Sequence, residues 1–130
     1  MDAKCRVLIL DDDVDGADSL GALMGLEGHD VRVCYAAVDA LEVAATFKPD
    51  ACILDIGLPD FDGREVARAL RALYGPGQLL IALSGHAMPR DVAAGRLAGF
   101  DYYISKPADI NELLALIPSQ SPTSERPGRL

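Results

Sequence analysis

The sequence of 130 residues contains no tryptophan, only two histidines and no excess of basic residues. Its net charge of −8 argues against nucleic-acid binding by this domain alone, because phosphate backbones attract a basic protein surface. No apolar run approaches the roughly 20 residues of a membrane-spanning helix, and the amino terminus lacks the apolar core of a signal peptide. These absences predict a single soluble domain, long enough to bury a hydrophobic core.

Cysteines are also few, and they are dispersed. Cys5, Cys34 and Cys52 form an odd set without a close pair, and each lies in or beside an apolar segment. A disulfide framework needs an even set, and a structural metal site needs clustered cysteine or histidine ligands. The sequence therefore predicts buried, reduced thiols in a cytoplasmic protein.

Short apolar runs alternate with longer segments of helical pattern, which is typical of a parallel sheet with crossover helices. Strands are predicted at residues 5–10, 31–35, 51–54, 79–83 and 102–105, and helices at about 14–27, 38–47, 64–73, 89–99 and 109–117. In the first helix, Ala17, Leu20, Leu23 and Met24 are expected to face the core. This pattern predicts one α/β domain over residues 5–117, a three-layer sandwich with a five-stranded sheet and five helices. The Ser- and Pro-rich residues 118–130 are expected to form a disordered tail.

Polar side chains stand where four of the predicted strands end. Asp11 and Asp12 follow the first strand, Asp55 the third, Ser84 the fourth and Lys106 the fifth. Because the carboxyl ends of parallel strands meet at one edge of a sheet, these groups are expected to lie together. Carboxylates, a hydroxyl and an ammonium suit an aspartate that accepts a phosphoryl group beside a divalent cation.

The acidic segment after the first strand allows two other kinds of chemistry. A helix-loop-helix calcium site would share its opening acidic pattern, but Ala22 stands where such a site needs a bidentate glutamate. The segment from Asp13 to Ala17 also resembles the nucleophile motif of haloacid-dehalogenase-type phosphatases, with Ser84 and Lys106 as further motifs. Against this, Ala17 replaces the expected threonine, and no acidic pair follows Lys106.

A third interpretation uses all of the strand-end groups. Asp11 and Asp12 hold Mg²⁺, and Asp55 accepts the phosphoryl group. The cation offsets the repulsion between the carboxylates and the incoming phosphoryl dianion. Lys106 adds a second positive charge, and Ser84 donates a hydrogen bond to a phosphoryl oxygen. The sequence favours this interpretation, because every group then has a role.

Together these residues resemble the receiver domain of two-component response regulators, from about Arg6 to Ile117. The resemblance rests on motifs at Asp11-Asp12, Asp55, Leu58-Pro59, Asp62-Gly63, Ser84 and Lys106-Pro107. It implies a flavodoxin-like fold with strand order 2-1-3-4-5. It also implies that a histidine kinase or a histidine phosphotransfer protein phosphorylates Asp55 with the help of Mg²⁺, for which Mn²⁺ is a substitute.

By the same resemblance, the metal is held by Asp12, Asp55 and the backbone carbonyl of Gly57, while Asp11 acts through a bound water. The domain is then not a conventional enzyme, although it catalyses its own phosphorylation and dephosphorylation. The position of Gly57, together with that of His86, is expected to tune the lifetime of the phosphoryl group.

The resemblance further implies a conformational switch, in which Ser84 and Tyr103 move when the acceptor is phosphorylated. The output surface is then the face of the fourth helix, the fifth strand and the fifth helix, and it meets either a downstream protein or a second copy of the chain. No effector domain is expected after Ile117. The alternative function is a phosphate-independent interaction domain that keeps the metal site, but such a site needs neither Ser84 nor Lys106.

Overall fold

The computed structural model describes residues 4–57, 62–85 and 98–118. Five strands form one parallel sheet in the order β2-β1-β3-β4-β5, which confirms the predicted fold class. The strands are β1 (Arg6–Leu10), β2 (Asp30–Cys34), β3 (Ala51–Asp55), β4 (Leu79–Ser84) and β5 (Tyr102–Ser105). The helices within the described ranges are α1 (Val14–Leu26), α2 (Ala37–Phe47), α3 (Gly63–Tyr74) and α4 (Ile110–Leu116), and a short 3-10 helix (Gly75–Gly77) follows α3.

The boundaries of these strands and α-helices lie within one residue of the predicted ones. Most of the helix predicted at residues 89–99 lies outside the described residues, which accounts for four described α-helices where five were predicted. Leu58, Pro59, His86 and residues 119–130 of the predicted tail also lie outside them. No helix in the described part of the chain is long and apolar enough to cross a membrane.

Two buried clusters cover the two faces of the sheet. Leu8 and Leu54 belong to the cluster that packs against α2 and α3, whereas Ile9 and Ile53 belong to the cluster that packs against α1 and α4. This division follows from the alternation of side chains along a strand. All five residues of β3 are buried, as expected for the strand at the centre of the sheet.

Helix α1 departs from the predicted packing at one position. Ala17 and Met24 are buried as expected, but the side chain of Leu23 is 45% exposed. The helix instead contacts the sheet through Gly21, where an added Cβ atom would lie 2.7 Å from Cγ2 of Val33. Gly21 is on the same face as Ala17 and Met24, so the close approach of the helix turns Leu23 toward solvent.

The three cysteines are buried and form no disulfide with one another, as predicted. Burial raises the pKa of the Cys52 thiol to about 12, and burial together with the charge of Asp50 raises that of Cys5 to about 11. Both thiols therefore stay protonated at neutral pH, and they behave as small apolar side chains of the core.

A buried histidine before β2 predicts a dependence of stability on pH. In the described ranges, Nδ1 of His29 has no hydrogen-bond partner, and burial, followed by the charge of Lys4, lowers the pKa of His29. The unfolded chain therefore binds the proton more readily than the folded one. The contribution of neutral His29 to the free energy of unfolding should be fully present above about pH 6.5 and should fall as the pH drops below that value.

Urea unfolding between about pH 7.5 and about pH 5.5 tests this dependence. We expect His29→Leu to remove the part of the stability loss at acid pH that comes from His29. The other histidine gives the control, because His86→Leu should keep the loss. An unchanged loss in the His29 variant would contradict the prediction.

Candidate functional site

The carboxyl edge of the sheet brings polar groups together from four strands. Asp11 follows β1, Asp55 ends β3, Ser84 ends β4 and Lys106 follows β5. The register between β3 and β4 sets Asp55 beside Leu83, so Ser84 lies one residue farther along the neighbouring strand. The backbone N–H of Lys106 donates to the carbonyl of Ser84 at 2.7 Å, which holds the start of the last loop against β4.

Lys106 bridges two buried carboxylates. Its Nζ atom lies 3.0 Å from Oδ2 of Asp11 and 3.1 Å from Oδ2 of Asp55. Asp11 and Asp55 are 6% and 5% exposed, whereas the side chain of Lys106 is 32% exposed. Burial acts to lower the pKa of Lys106, but its hydrogen bonds to the two carboxylates and their charges outweigh that effect, so the pKa is raised. Lys106 is therefore a full positive charge at neutral pH.

For the carboxyl group of Asp11, the surroundings favour the neutral form instead of the charged one. Burial raises its pKa, and the neighbouring Asp55 adds to that effect, while the backbone N–H of Asp13 and the ammonium of Lys106 act against it. The pKa of Asp11 is raised overall. The buried carboxylates of Asp11 and Asp55 share one ammonium, which leaves an excess of negative charge. A cation bound beside them would stabilise the charged form of both carboxylates.

Three carboxylates at this edge could hold such a cation. Asp11, Asp12 and Asp55 each offer an oxygen atom, and these atoms all lie within 4.8 Å of one another. Asp12 is exposed, so the group opens to solvent on one side. Mg²⁺ prefers oxygen ligands and keeps several waters, so a small set of converging carboxylates with access to solvent fits it.

The carboxylate of Asp55 is held in one orientation. Its Oδ1 atom accepts a hydrogen bond from the backbone N–H of Gly57 at 2.8 Å, while Oδ2 faces Lys106. Directly after it, the N–H of Ile56 donates to the carbonyl of Leu83 at 3.1 Å, so the sheet pairing continues past Asp55. Each carboxylate oxygen therefore has one donor, and the group is ordered before any ligand arrives.

Comparison with known proteins identifies the family. The family model described as "Response regulator receiver domain" matches residues 7–118. The chain belongs to this family. It is 37% identical over 110 residues to response regulator MprA of Mycobacterium ulcerans (strain Agy99), a match that covers 85% of this chain and 47% of that protein. The chain spans about half the length of the curated relatives it matches.

Solved structures agree with this membership. A CheY-like receiver domain protein from Methanospirillum hungatei JF-1 has a TM-score of 0.79 at 32% identity, covering 85% of this chain and 87% of that one. A Burkholderia pseudomallei response regulator was solved with a phosphorylated aspartic acid, a calcium ion and citrate. It has a TM-score of 0.79 at 27% identity, and the match covers 92% of this chain and 69% of that one. Receiver domains generally bind Mg²⁺ at an aspartate cluster, and this receiver has such a cluster.

The proposed switch residues of the receiver lie on the two neighbouring strands β4 and β5. Ser84 is buried, and Tyr103 is half-buried against the core face that α2 and α3 cover. The hydroxyl of Tyr103 is buried without a hydrogen-bond partner among the described residues. Tyr102 is exposed, because successive side chains along β5 point to opposite faces. The Lys106-Pro107 peptide bond is cis, a point that the sequence left open.

Two features of the receiver site were not singled out from the sequence. Asp13 accepts a hydrogen bond from the N–H of Gly16 as the cap of α1, and its own N–H donates to Oδ1 of Asp11 at 3.0 Å. An aspartate directly before a predicted helix is the signal that could have indicated this cap. A groove of about 310 Å³ also opens beside the carboxylates, and its apolar lining includes Leu20, Leu23, Leu83, Pro107 and Ile110.

Proposed function

We propose that Asp55 accepts a phosphoryl group from a histidine kinase or a histidine phosphotransfer protein, and that the phosphorylated domain signals by a change of conformation. One observation carries this proposal. The buried carboxylate of Asp55 is ordered by a backbone N–H and by the ammonium of Lys106, and two further carboxylates lie within reach of the same cation. The phosphorylated aspartic acid of the Burkholderia pseudomallei relative supports it.

In the transfer step, an oxygen of Asp55 attacks the phosphorus of the donor's phosphohistidine. The new P–O bond forms while the P–N bond breaks, and its electron pair leaves with the imidazole nitrogen, which takes up a proton from solvent. The ammonium of Lys106 stabilises the negative charge on the transferring oxygens. In hydrolysis, a water attacks the same phosphorus, releasing inorganic phosphate and restoring the carboxylate of Asp55.

Mg²⁺, when bound, supplies positive charge to the phosphoryl oxygens. Asp12, Asp55 and the carbonyl of Gly57 would hold it, Asp11 would act through a water, and Mn²⁺ would substitute for it. Ser84 would donate a hydrogen bond to the phosphoryl group.

We also propose that Tyr103 turns inward as Ser84 moves toward the phosphoryl group. Ser84 lies on β4 and Tyr103 lies on β5. The proposed output face includes β5 and α4, the helix that corresponds to the fifth predicted one. Gly57 and His86 would tune the phosphoryl lifetime.

We place the boundaries of this domain at residues 5 and 117. The thiol of Cys5 donates to the carbonyl of Pro118, the residue after the proposed carboxyl end, at 3.3 Å, so the chain leaves the domain close to where it enters. Receiver domains interact with histidine kinases and with downstream effectors. For this chain we propose a cytoplasmic kinase or phosphotransfer partner, and a downstream protein or a second copy of the chain at the output face.

Intact-mass analysis after incubation with a small phosphodonor tests this function. We expect one base-labile phosphoryl adduct with Mg²⁺ and none after its removal by chelation. Asp12→Asn should raise the Mg²⁺ concentration required by about tenfold or more, while Asp15→Asn, a neighbouring exposed carboxylate, should leave it unchanged. Mg²⁺ binding without an adduct, from this donor and from phosphorylated histidine proteins alike, would instead support the phosphate-independent interaction domain.

A further inference from the structure

Gly63 lies directly against the backbone of the phosphoacceptor position. A Cβ atom at this glycine would be 2.4 Å from the carbonyl oxygen of Asp55 and 2.7 Å from Cα of Ile56. Real Cβ atoms essentially never come so close to other atoms, and both of these neighbours are backbone atoms that no side-chain rotation can move away. Any side chain at residue 63 would therefore displace either α3 or the end of β3.

The backbone conformation of Gly63 does not by itself require glycine. It is the first residue of α3, and alanine is the better helix former at such a position. Asp62 already caps the helix, because its side chain accepts a hydrogen bond from the N–H of Arg64 at 2.9 Å. The local sequence thus favours a residue with a side chain, and space beside Asp55 is the remaining reason for glycine.

Both partners in this contact are anchored elsewhere. Helix α3 is fixed to the core by the fully buried side chains of Val66 and Leu70. The end of β3 is fixed by its pairing with β4, which extends to the N–H of Ile56. Displacement by a new side chain would then be taken up where the anchoring stops, after the N–H of Ile56, at the peptide that leads to Gly57. That segment carries the N–H that orders Oδ1 of Asp55.

We propose that Gly63 is a positioning residue for the acceptor. Because it lacks a side chain, α3 begins in contact with the Asp55–Ile56 backbone, and this contact fixes the carboxylate of Asp55 and the amide of Gly57 relative to each other. The link to phosphoryl transfer rests on the function proposed above. The link to site geometry and to cation binding does not depend on phosphoryl transfer.

Gly63→Ala tests the proposal beside two matched glycine variants. In Gly21→Ala, the new Cβ atom meets Cγ2 of Val33 at 2.7 Å, which places a helix–sheet clash against a side chain, milder than the backbone clash at residue 63, at the contact between α1 and β2. In Gly25→Ala, it meets nothing within 4 Å, which controls for helix propensity. The readouts are Mg²⁺ affinity by calorimetry, the amide resonance of Gly57 by NMR and the rate of phosphorylation by a small phosphodonor, all at a temperature where each variant is folded.

We expect Gly63→Ala to weaken Mg²⁺ binding and to slow phosphorylation by about tenfold each, with a displaced Gly57 resonance. Gly21→Ala should lose stability and keep the other three readouts, and Gly25→Ala should keep all of them. The proposal is overturned if Gly63→Ala retains affinity and rate within about twofold, or if Gly21→Ala loses as much of both. An unphosphorylated wild type would reject the proposed function, while Mg²⁺ affinity and the Gly57 resonance would still judge the role of Gly63.

A second variant applies if Gly63→Ala does not fold. Val66→Ala trims a buried anchor of α3, which gives the helix room to move away from Asp55 in a Gly63→Ala/Val66→Ala double variant. We expect the double variant to fold and still to bind Mg²⁺ about tenfold more weakly than Val66→Ala alone. Equal affinities of the two would overturn the proposal.

Discussion

Asp55→Asn is expected to abolish the phosphoryl adduct, with a loss of more than about a thousandfold in the rate of its formation. Asparagine has nearly the same shape, and its oxygen can still accept the hydrogen bond from Gly57, but it lacks an anionic oxygen that can attack phosphorus. Lys106 keeps its contact with Asp11 at 3.0 Å, so we expect the variant to fold. Intact-mass analysis with a small phosphodonor and Mg²⁺ measures the effect.

Asp15→Asn is the matched control for this experiment. Asp15 lies in the first turn of α1 near the same edge of the sheet, and it is exposed. We expect this variant to be phosphorylated like the wild type. Adduct formation by Asp55→Asn at the rate of the wild type would show that another residue is the acceptor.

Lys106→Met is expected to have the second-largest effect, on stability and on reactivity together. Without the ammonium, the buried carboxylates of Asp11 and Asp55 have lost the cation that bridges them. We expect the free energy of unfolding of the metal-free protein to fall by about 1–3 kcal/mol at neutral pH, less than for a fully buried pair because Lys106 is partly exposed. Phosphorylation should slow by about a hundredfold, as for the loss of one oxyanion donor.

Urea unfolding with and without Mg²⁺ separates the two effects of this variant. Mg²⁺ should recover much of the lost stability, because a bound cation replaces the missing positive charge, but it should not recover the rate. Lys48→Met removes an exposed lysine at the end of α2 and should change neither quantity. Equal stability of Lys106→Met and wild type in the absence of metal would contradict the charge balance described for this site.

Most of the strands could be predicted from the sequence because they are short apolar runs with a polar group or turn at the end, whereas β2 alternates polar and apolar residues. β3 illustrates this: its almost wholly apolar residues are typical of a central strand, and it lies between β1 and β4 with every residue buried. The order of the strands could not be obtained from the pattern, because periodicity says nothing about which strands are neighbours. That order came from the resemblance to receiver domains.

The orientation of α1 was harder to predict, for a physical reason. Apolar residues occur on all sides of this helix, among them Leu20, Leu23 and Leu26, so the pattern does not define one buried face. The close contact between Gly21 and Val33 decides the orientation, and it depends on the distance between helix and sheet. Sequence periodicity contains no information about that distance.

The candidate site could likewise be predicted from the sequence only in part. Because parallel strands end at one edge, the sequence alone could bring together Asp11, Asp55 and Lys106. It could not show that Lys106 contacts both carboxylates, since that depends on side-chain geometry. The close approach of Gly63 was also beyond the pattern, although a glycine where a helix would favour alanine was a usable signal.

The most direct test of the central claim is to locate the phosphoryl group by chemical trapping. Borohydride reduces an aspartyl phosphate to homoserine, and peptide mass spectrometry then identifies the residue that was modified. We predict that the receiver, treated with Mg²⁺ and a small phosphodonor, carries this change at Asp55 alone. Trapping at Asp11 or Asp12, or at any residue other than Asp55, would contradict the assignment of the acceptor.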